Sequence, residues 1–230
     1  TINGIPDAWV IVSPNPNGEG WNNTDVTLSL SQDAIDAGYT SLALIEQGVE
    51  TLHGATISLT NSTNGMIPVV VLKKDDGTTS SYKSLRYVKI DKSNPSATIT
   101  IDHENDWTKT DKKVTITVSD TFSGVKDVTI EDASGNAVTL TQESENTYSF
   151  VSDNGTYHLT VTDKADNGLE TDITVTKIDK TAPTITATLG ALSTDESTHD
   201  MDVTAAVGTS GVQSFSVYYK ENAGDPYPTT

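Results

Sequence analysis

Lys113-Val114-Thr115-Ile116-Thr117-Val118-Ser119 alternates aliphatic and hydroxylated side chains without a break. Successive side chains of an extended chain point to opposite faces, so Val114, Ile116 and Val118 share one side and Thr115, Thr117 and Ser119 the other. The stretch predicts a half-buried strand. Similar short runs lie around it. Residues 97–102 carry Ile99 and Ile101, and residues 125–131 carry Val128 and Ile130. After the turn Ala133-Ser134-Gly135-Asn136 a short strand holds Val138 and Leu140. Residues 146–151, 155–162 and 171–178 follow, with Tyr148 and Phe150, then Tyr157, Leu159 and Val161, then Ile173 and Val175. Seven short strands at close, turn-marked spacing predict an antiparallel β-sandwich.

The markers of this unit recur along the chain. Ile90-Asp91-Lys92-Ser93-Asn94-Pro95 returns 88 residues later as Ile178-Asp179-Lys180-Thr181-Ala182-Pro183. Trp21 returns as Trp107 after 86 residues, and Ser123-Gly124-Val125 as Ser210-Gly211-Val212 after 87. A period near 87 is too long for a solenoid and suits tandem immunoglobulin-like sandwiches. The expected fold is therefore all-β, with two complete domains and a partial third. Residues 1–90 form an irregular first copy, 91–178 the seven-stranded second, and 179–230 the N-terminal half of a third.

In the first copy residues 25–31, 40–46, 55–60, 67–73 and 84–90 read as strands, and 32–38 as a helical turn. Val69-Val70-Val71-Leu72 is apolar on both faces, which predicts a strand covered on its outer side. Residues 185–189, 202–207 and 212–219 read as the strands of the third copy, whose unmatched half predicts a bare apolar face and unpaired edges. Tyr157, entering its strand behind Asp153-Asn154-Gly155, suits a tyrosine corner. Trp21 and Trp107 hold equivalent positions, which favours a structural role at the domain end. The chain opens on Thr1, without an initiator Met or signal peptide, and reads as a piece of something longer.

Composition fits thin cores with polar faces. Leu, Ile, Val and Phe make up 51 of 230 residues, near the level at which a strongly charged chain cannot fold. Val, Ile and Thr, however, total 72, a strand-forming bias. Nucleic acid is excluded as a partner, because 32 acidic residues face 14 basic ones. No apolar run is long enough for a membrane helix. The absence of Cys removes disulfides, thiolate chemistry and Cys-zinc sites.

Several stretches resemble bacterial immunoglobulin-like repeats of cell-surface and secreted multidomain proteins. Gly20-Trp21 followed by Asp25-Val26-Thr27-Leu28-Ser29-Leu30 resembles their opening, and Asp120-Thr121-Phe122-Ser123-Gly124-Val125 their Asp–Ser-Gly-Val turn. Thr162-Asp163-Lys164-Ala165-Asp166-Asn167 is similar to their Thr-Asp-Lys-Ala-Gly-Asn, with Asp166 where Gly is usual. Ile178 to Pro183 looks like their linker. The resemblance covers most of the chain and is strongest over 97–184. It implies an extracellular location and a non-catalytic role as stalk or adhesin. The implied ligand is a host protein or glycoprotein, an immunoglobulin among them. An accessory or carbohydrate-binding region of a secreted glycosidase, or a surface-layer component, are the alternatives.

No constellation for catalysis is present. His53, His103, His158 and His199 are scattered, and no Gly-rich phosphate loop stands between a strand and a helix. Calcium is the cofactor the chain suits best, since Asp outnumbers Glu 22 to 10 and loop carboxylates are hard oxygen donors. Asp163, Asp166 and Asn167 fall in one loop, with Asp120 in a loop at the same end. Asp179 lies in the linker that follows. The resemblance implies that calcium sits where loops meet a neighbouring linker, so that Asp91 approaches Asp120 or Asp163. Against this stands turn chemistry, for which Asp is equally suited.

Overall fold

The computed structural model describes residues 7–83, 87–192 and 199–216. The chain forms two compact units, residues 1–99, 115–150 and 156–173 in one, and 100–114, 151–155 and 174–230 in the other. Nearly all regular structure is strand, and among the described residues no helix is long and apolar enough to cross a membrane.

The first copy runs β1 (Val10–Ser13), β2 (Val26–Leu30), α1 (Gln32–Asp36), β3 (Ser41–Glu46), β4 (Val49–Leu52) and β5 (Thr56–Leu59). It continues through β6 (Thr63–Met66), β7 (Val69–Lys73), β8 (Thr79–Lys83) and β9 (Val88–Ile90). Three sheets result, in the orders β1-β2-β5, β4-β3-β7-β8 and β6-β9. Alternation explains the packing. Val26, Leu28 and Leu30 of β2, with Ile57 and Leu59 of β5, share one buried core with Leu42, Leu44, Val70 and Leu72 of the second sheet. Val71 and its cross-strand partner Ala43 are also buried, so the doubly apolar run is covered on both faces. The helical turn is real: Ser31 caps it by accepting the Ala34 N–H, and Ala34 is buried.

The second copy contains β10 (Ser96–Ile101), β11 (Lys112–Ser119), β12 (Val125–Asp132), β13 (Thr141–Ser144), β14 (Thr147–Ser152), β15 (Gly155–Asp163) and β16 (Gly168–Val175). Its sheets are ordered β10-β11-β14-β13 and β12-β15-β16. Val114, Ile116 and Val118 are buried, as their alternation requires. Phe150 of β14 meets Tyr157 of β15 with ring centroids 5.0 Å apart. Two strands lie elsewhere than expected. Val138 and Leu140 are outside regular strand, where Val138 gives its N–H to the Ile130 carbonyl, and the short strand is β13 instead. All four β13 residues are exposed, so no alternation marks it. The last strand runs from Gly168 to Val175, while Ile178 sits in a parallel bridge with Thr108.

The third copy shows a hairpin of β17 (Thr184–Leu192) and β18 (His199–Ala206). Its register sets Ile185 opposite Ala205, Ala187 opposite Val203 and Leu189 opposite Met201. Ile185, Leu189 and Met201 are all exposed, consistent with a bare apolar face among the described residues. Residues 212–216 are not strand, and 217–219 lie outside the described residues.

The two equivalent tryptophans differ. Trp21 is buried beneath the Lys89 ammonium, 5.2 Å from its ring centroid, whereas Trp107 is half exposed. Lys177, the repeat equivalent of Lys89, instead gives its ammonium to the Asn105 carbonyl at 2.9 Å.

Candidate metal centre at the first linker

The linker after β9 begins with a backbone clamp. Asn22 gives its N–H to the Lys89 carbonyl at 3.0 Å, and Asp91 gives its own to the Asn22 carbonyl at 2.9 Å. The second copy repeats this. Thr108 bonds the Lys177 carbonyl at 3.0 Å, and Asp179 bonds the Thr108 carbonyl at 2.9 Å. The linker aspartate is therefore placed by the same device twice.

From that position Asp91 reaches a turn far along the chain. Its Oδ1 accepts the Ser93 N–H at 3.0 Å, a local Asx turn, and its Oδ2 accepts the Ser123 N–H at 2.9 Å. Asp91 is wholly buried. Burial pushes its carboxyl up, but the donors from Ser93 and Ser123 outweigh this and hold it below the usual carboxylate range. It is thus a buried anion at neutral pH.

Asp120 and Asp163 face the same place. Asp120 follows β11 on the inward parity of Val114, Ile116 and Val118. Its Oδ2 accepts the Phe122 and Gly124 N–H groups at 3.1 and 2.8 Å. Asp163 ends β15 on the inward parity of Leu159 and Val161, and is wholly buried. Its Oδ1 accepts the Ala165 and Asn167 N–H groups at 2.8 and 2.9 Å. Asn167 links the sites, since its amide donates to the Asp91 carbonyl at 3.0 Å and to Asp163 Oδ2 at 2.8 Å.

Asp91, Asp120 and Asp163 each offer an oxygen, and the three oxygens lie within 4.8 Å of one another. Asp120 Oδ1 is buried and has no hydrogen-bond partner. Among the described residues no Lys or Arg forms an ion pair with any of the three. Turn chemistry explains Oδ2 of Asp120 and Oδ1 of Asp163, but not the buried Asp120 Oδ1, which has no partner. Uncompensated buried charge is costly, and a cation relieves it. Oxygens this close can share one cation, and a set made only of carboxylate oxygens suits a hard ion such as Ca²⁺.

The other expected ligands do not add an oxygen to this group. Asp166 is exposed, bound to the Lys126 ammonium and the Asn17 amide, both at 2.7 Å, which hold its carboxyl below the usual range. Asn167 turns its amide donor, rather than an oxygen, to the cluster. Asp179 lies at the second linker, where its Oδ2 accepts the Ser210 N–H and hydroxyl at 2.8 and 2.6 Å. Strand parity is the signal that separates Asp163 from Asp166, because 159, 161 and 163 continue one inward face and 166 lies beyond the turn.

No family model matches the sequence, and no curated protein matches it. Similar solved structures include murine CEACAM1b, which shares 10% identity over 74% of this chain and 100% of that one, with a TM-score of 0.39. The Bacteroides ovatus mixed-linkage glucan utilization locus SGBP-B, in complex with mixed-linkage heptasaccharide, shares 14% over 76% of this chain and 46% of that one, with a TM-score of 0.23.

Proposed function

We propose that this chain is a non-catalytic segment of an extracellular surface protein, a stalk or adhesin built from sandwich domains at 1–90, 91–178 and 179–230. Its first linker is fastened by calcium through Asp91, Asp120 and Asp163. The observation that supports this reading is the buried, partnerless Asp120 Oδ1 beside two wholly buried carboxylates. A chain of small domains needs stiff joints if it is to hold a binding surface away from a cell. An ion bridging the linker to both β11 and β15 converts a flexible connection into a fixed one, because its ligands come from three separate segments.

The test is calorimetry and thermal melting of the chain in chelator and in millimolar calcium. Binding to the native state alone raises stability by RT ln(1 + [L]/Kd), so calcium shifts the melting temperature upward. A melting curve indifferent to calcium and chelator, with no heat of binding, removes the clamp. A pull-down from host secretions that retains no partner removes the adhesin role and leaves a spacer.

A further inference from the structure

The two complete copies differ at one edge. In the second, the sheet β10-β11-β14-β13 has four strands, and β13 covers the outer edge of β14. In the first, the matching sheet β1-β2-β5 stops at three. The chain between β3 and β5 forms β4, which pairs with β3 in the opposite sheet. The outer edge of β5 therefore has no strand beside it among the described residues. The side chains of β5 are ordinary for such an edge: Ile57 and Leu59 enter the core, and Thr56 and Ser58 are exposed.

A cleft of about 250 Å³ opens beside that edge. Leu44, Ile57, Leu59 and Met66 make its apolar floor, with Glu46 and His53 at the rim. Pockets for drug-sized ligands run to about 300–1,000 Å³, so this one is sized for a single side chain. Its only fully charged wall residue is acidic, in a chain of net charge −18.

We propose that β5 is a strand-acceptor site: an extended basic peptide segment of a partner pairs with its free edge as the fourth strand, placing one apolar side chain in the cleft. This rests on the reading of the chain as a binding segment and names where that binding occurs. Main-chain pairing supplies the affinity, and the cleft and Glu46 supply the selectivity. The β13–β14 pair shows within the same chain that this sheet accepts a fourth strand whose side chains are all exposed.

The probe is a short acetylated peptide of alternating Lys and Val with one central Leu, titrated into the intact chain and followed by backbone amide NMR. The expected result is saturable binding below about 1 mM, weakened by salt, with shifts centred on residues 56–59. N-methylation of every second amide in one register abolishes it, and in the other register leaves it intact. Thr51→Phe, which narrows the cleft from exposed β4, weakens the Leu peptide about tenfold but not a peptide with central Gly. The absence of saturation, equal effects of both methylation patterns, or shifts remote from β5 overturn the proposal. So does sedimentation showing that a second copy of the chain holds the edge and the peptide cannot displace it. Calcium-dependent melting reports on the linker separately, so failure of the strand site and failure of the clamp are distinguishable.

Discussion

Ser123 gives its backbone N–H to Asp91 Oδ2 at 2.9 Å, and Ser210 does the same for Asp179 Oδ2 at 2.8 Å. Each pair joins a linker to the Ser-Gly-Val turn of the copy that follows it. Asp91 and Ser123 lie in one compact unit, Asp179 and Ser210 in the other, so the joint is built twice from the same parts. The two differ in charge. At the first, Asp120 adds a second carboxylate, and at the second the equivalent position is Val207.

That difference predicts the stoichiometry of metal binding. Calorimetry should find one calcium ion per chain, held at the first linker. Asp120→Asn keeps an oxygen for the Phe122 and Gly124 donors and removes one of three clustered charges. In calcium it should weaken binding about tenfold or more and lower the melting temperature. In chelator it should raise the melting temperature by a few degrees, the equivalent of about 1 kcal/mol, because a buried like charge is gone. A fall in both conditions would show that the carboxylate serves only the turn.

The second linker gives a pH prediction. The Ser210 hydroxyl and N–H, with the Thr181 N–H, hold the Asp179 carboxyl at about 2, against 3.8 for an ordinary aspartate. A folded value below the unfolded one means that Asp179 stabilises the native state above about pH 4, and that this contribution is lost as pH falls toward 2. Carbon-detected NMR titration should place its midpoint near the lower value. Ser210→Ala should move that midpoint upward, and a midpoint unchanged by the substitution would show that the hydroxyl contributes nothing.

The fold was legible where alternation was strong. Val114, Ile116 and Val118 are all buried, and Ser31 with Ala34 marks the helical turn at Gln32–Asp36. It was illegible in β13 and β4, whose residues are exposed and carry no apolar period. The site was half legible. Repeated Asp residues pointed to the right loops, and the inward parity of 114–120 and 159–163 singles out Asp120 and Asp163. That Asp91, Asp120 and Asp163 converge depends on the Asn22 clamp, a contact across 69 residues that no local pattern encodes.

Opposite in character to the aspartate cluster is Lys112, a buried cation at the start of β11. Only 2% of its surface is exposed, and its ammonium donates to the carbonyls of His103 at 2.8 Å, Asp106 at 3.0 Å and Glu104 at 3.4 Å. The loop it holds contains His103 at a φ of 50°, a left-handed conformation that a non-glycine residue adopts at some cost. Lys112→Met keeps the stem volume but removes the donor shared by the Glu104 and Asp106 carbonyls, while the His103 carbonyl keeps the Asp106 N–H. An acceptor left unmet costs about 1–3 kcal/mol when buried, but these carbonyls belong to exposed residues that water can reach, so the net loss should be about 1–2 kcal/mol. Urea denaturation should show this as a lower midpoint with an unchanged slope. Hydrogen exchange should show the loss of protection concentrated in residues 102–108. Lys112→Arg, which retains the charge, should recover part of the stability. If Met proved as stable as Lys, the three carbonyls would be solvated by water rather than held by the ammonium.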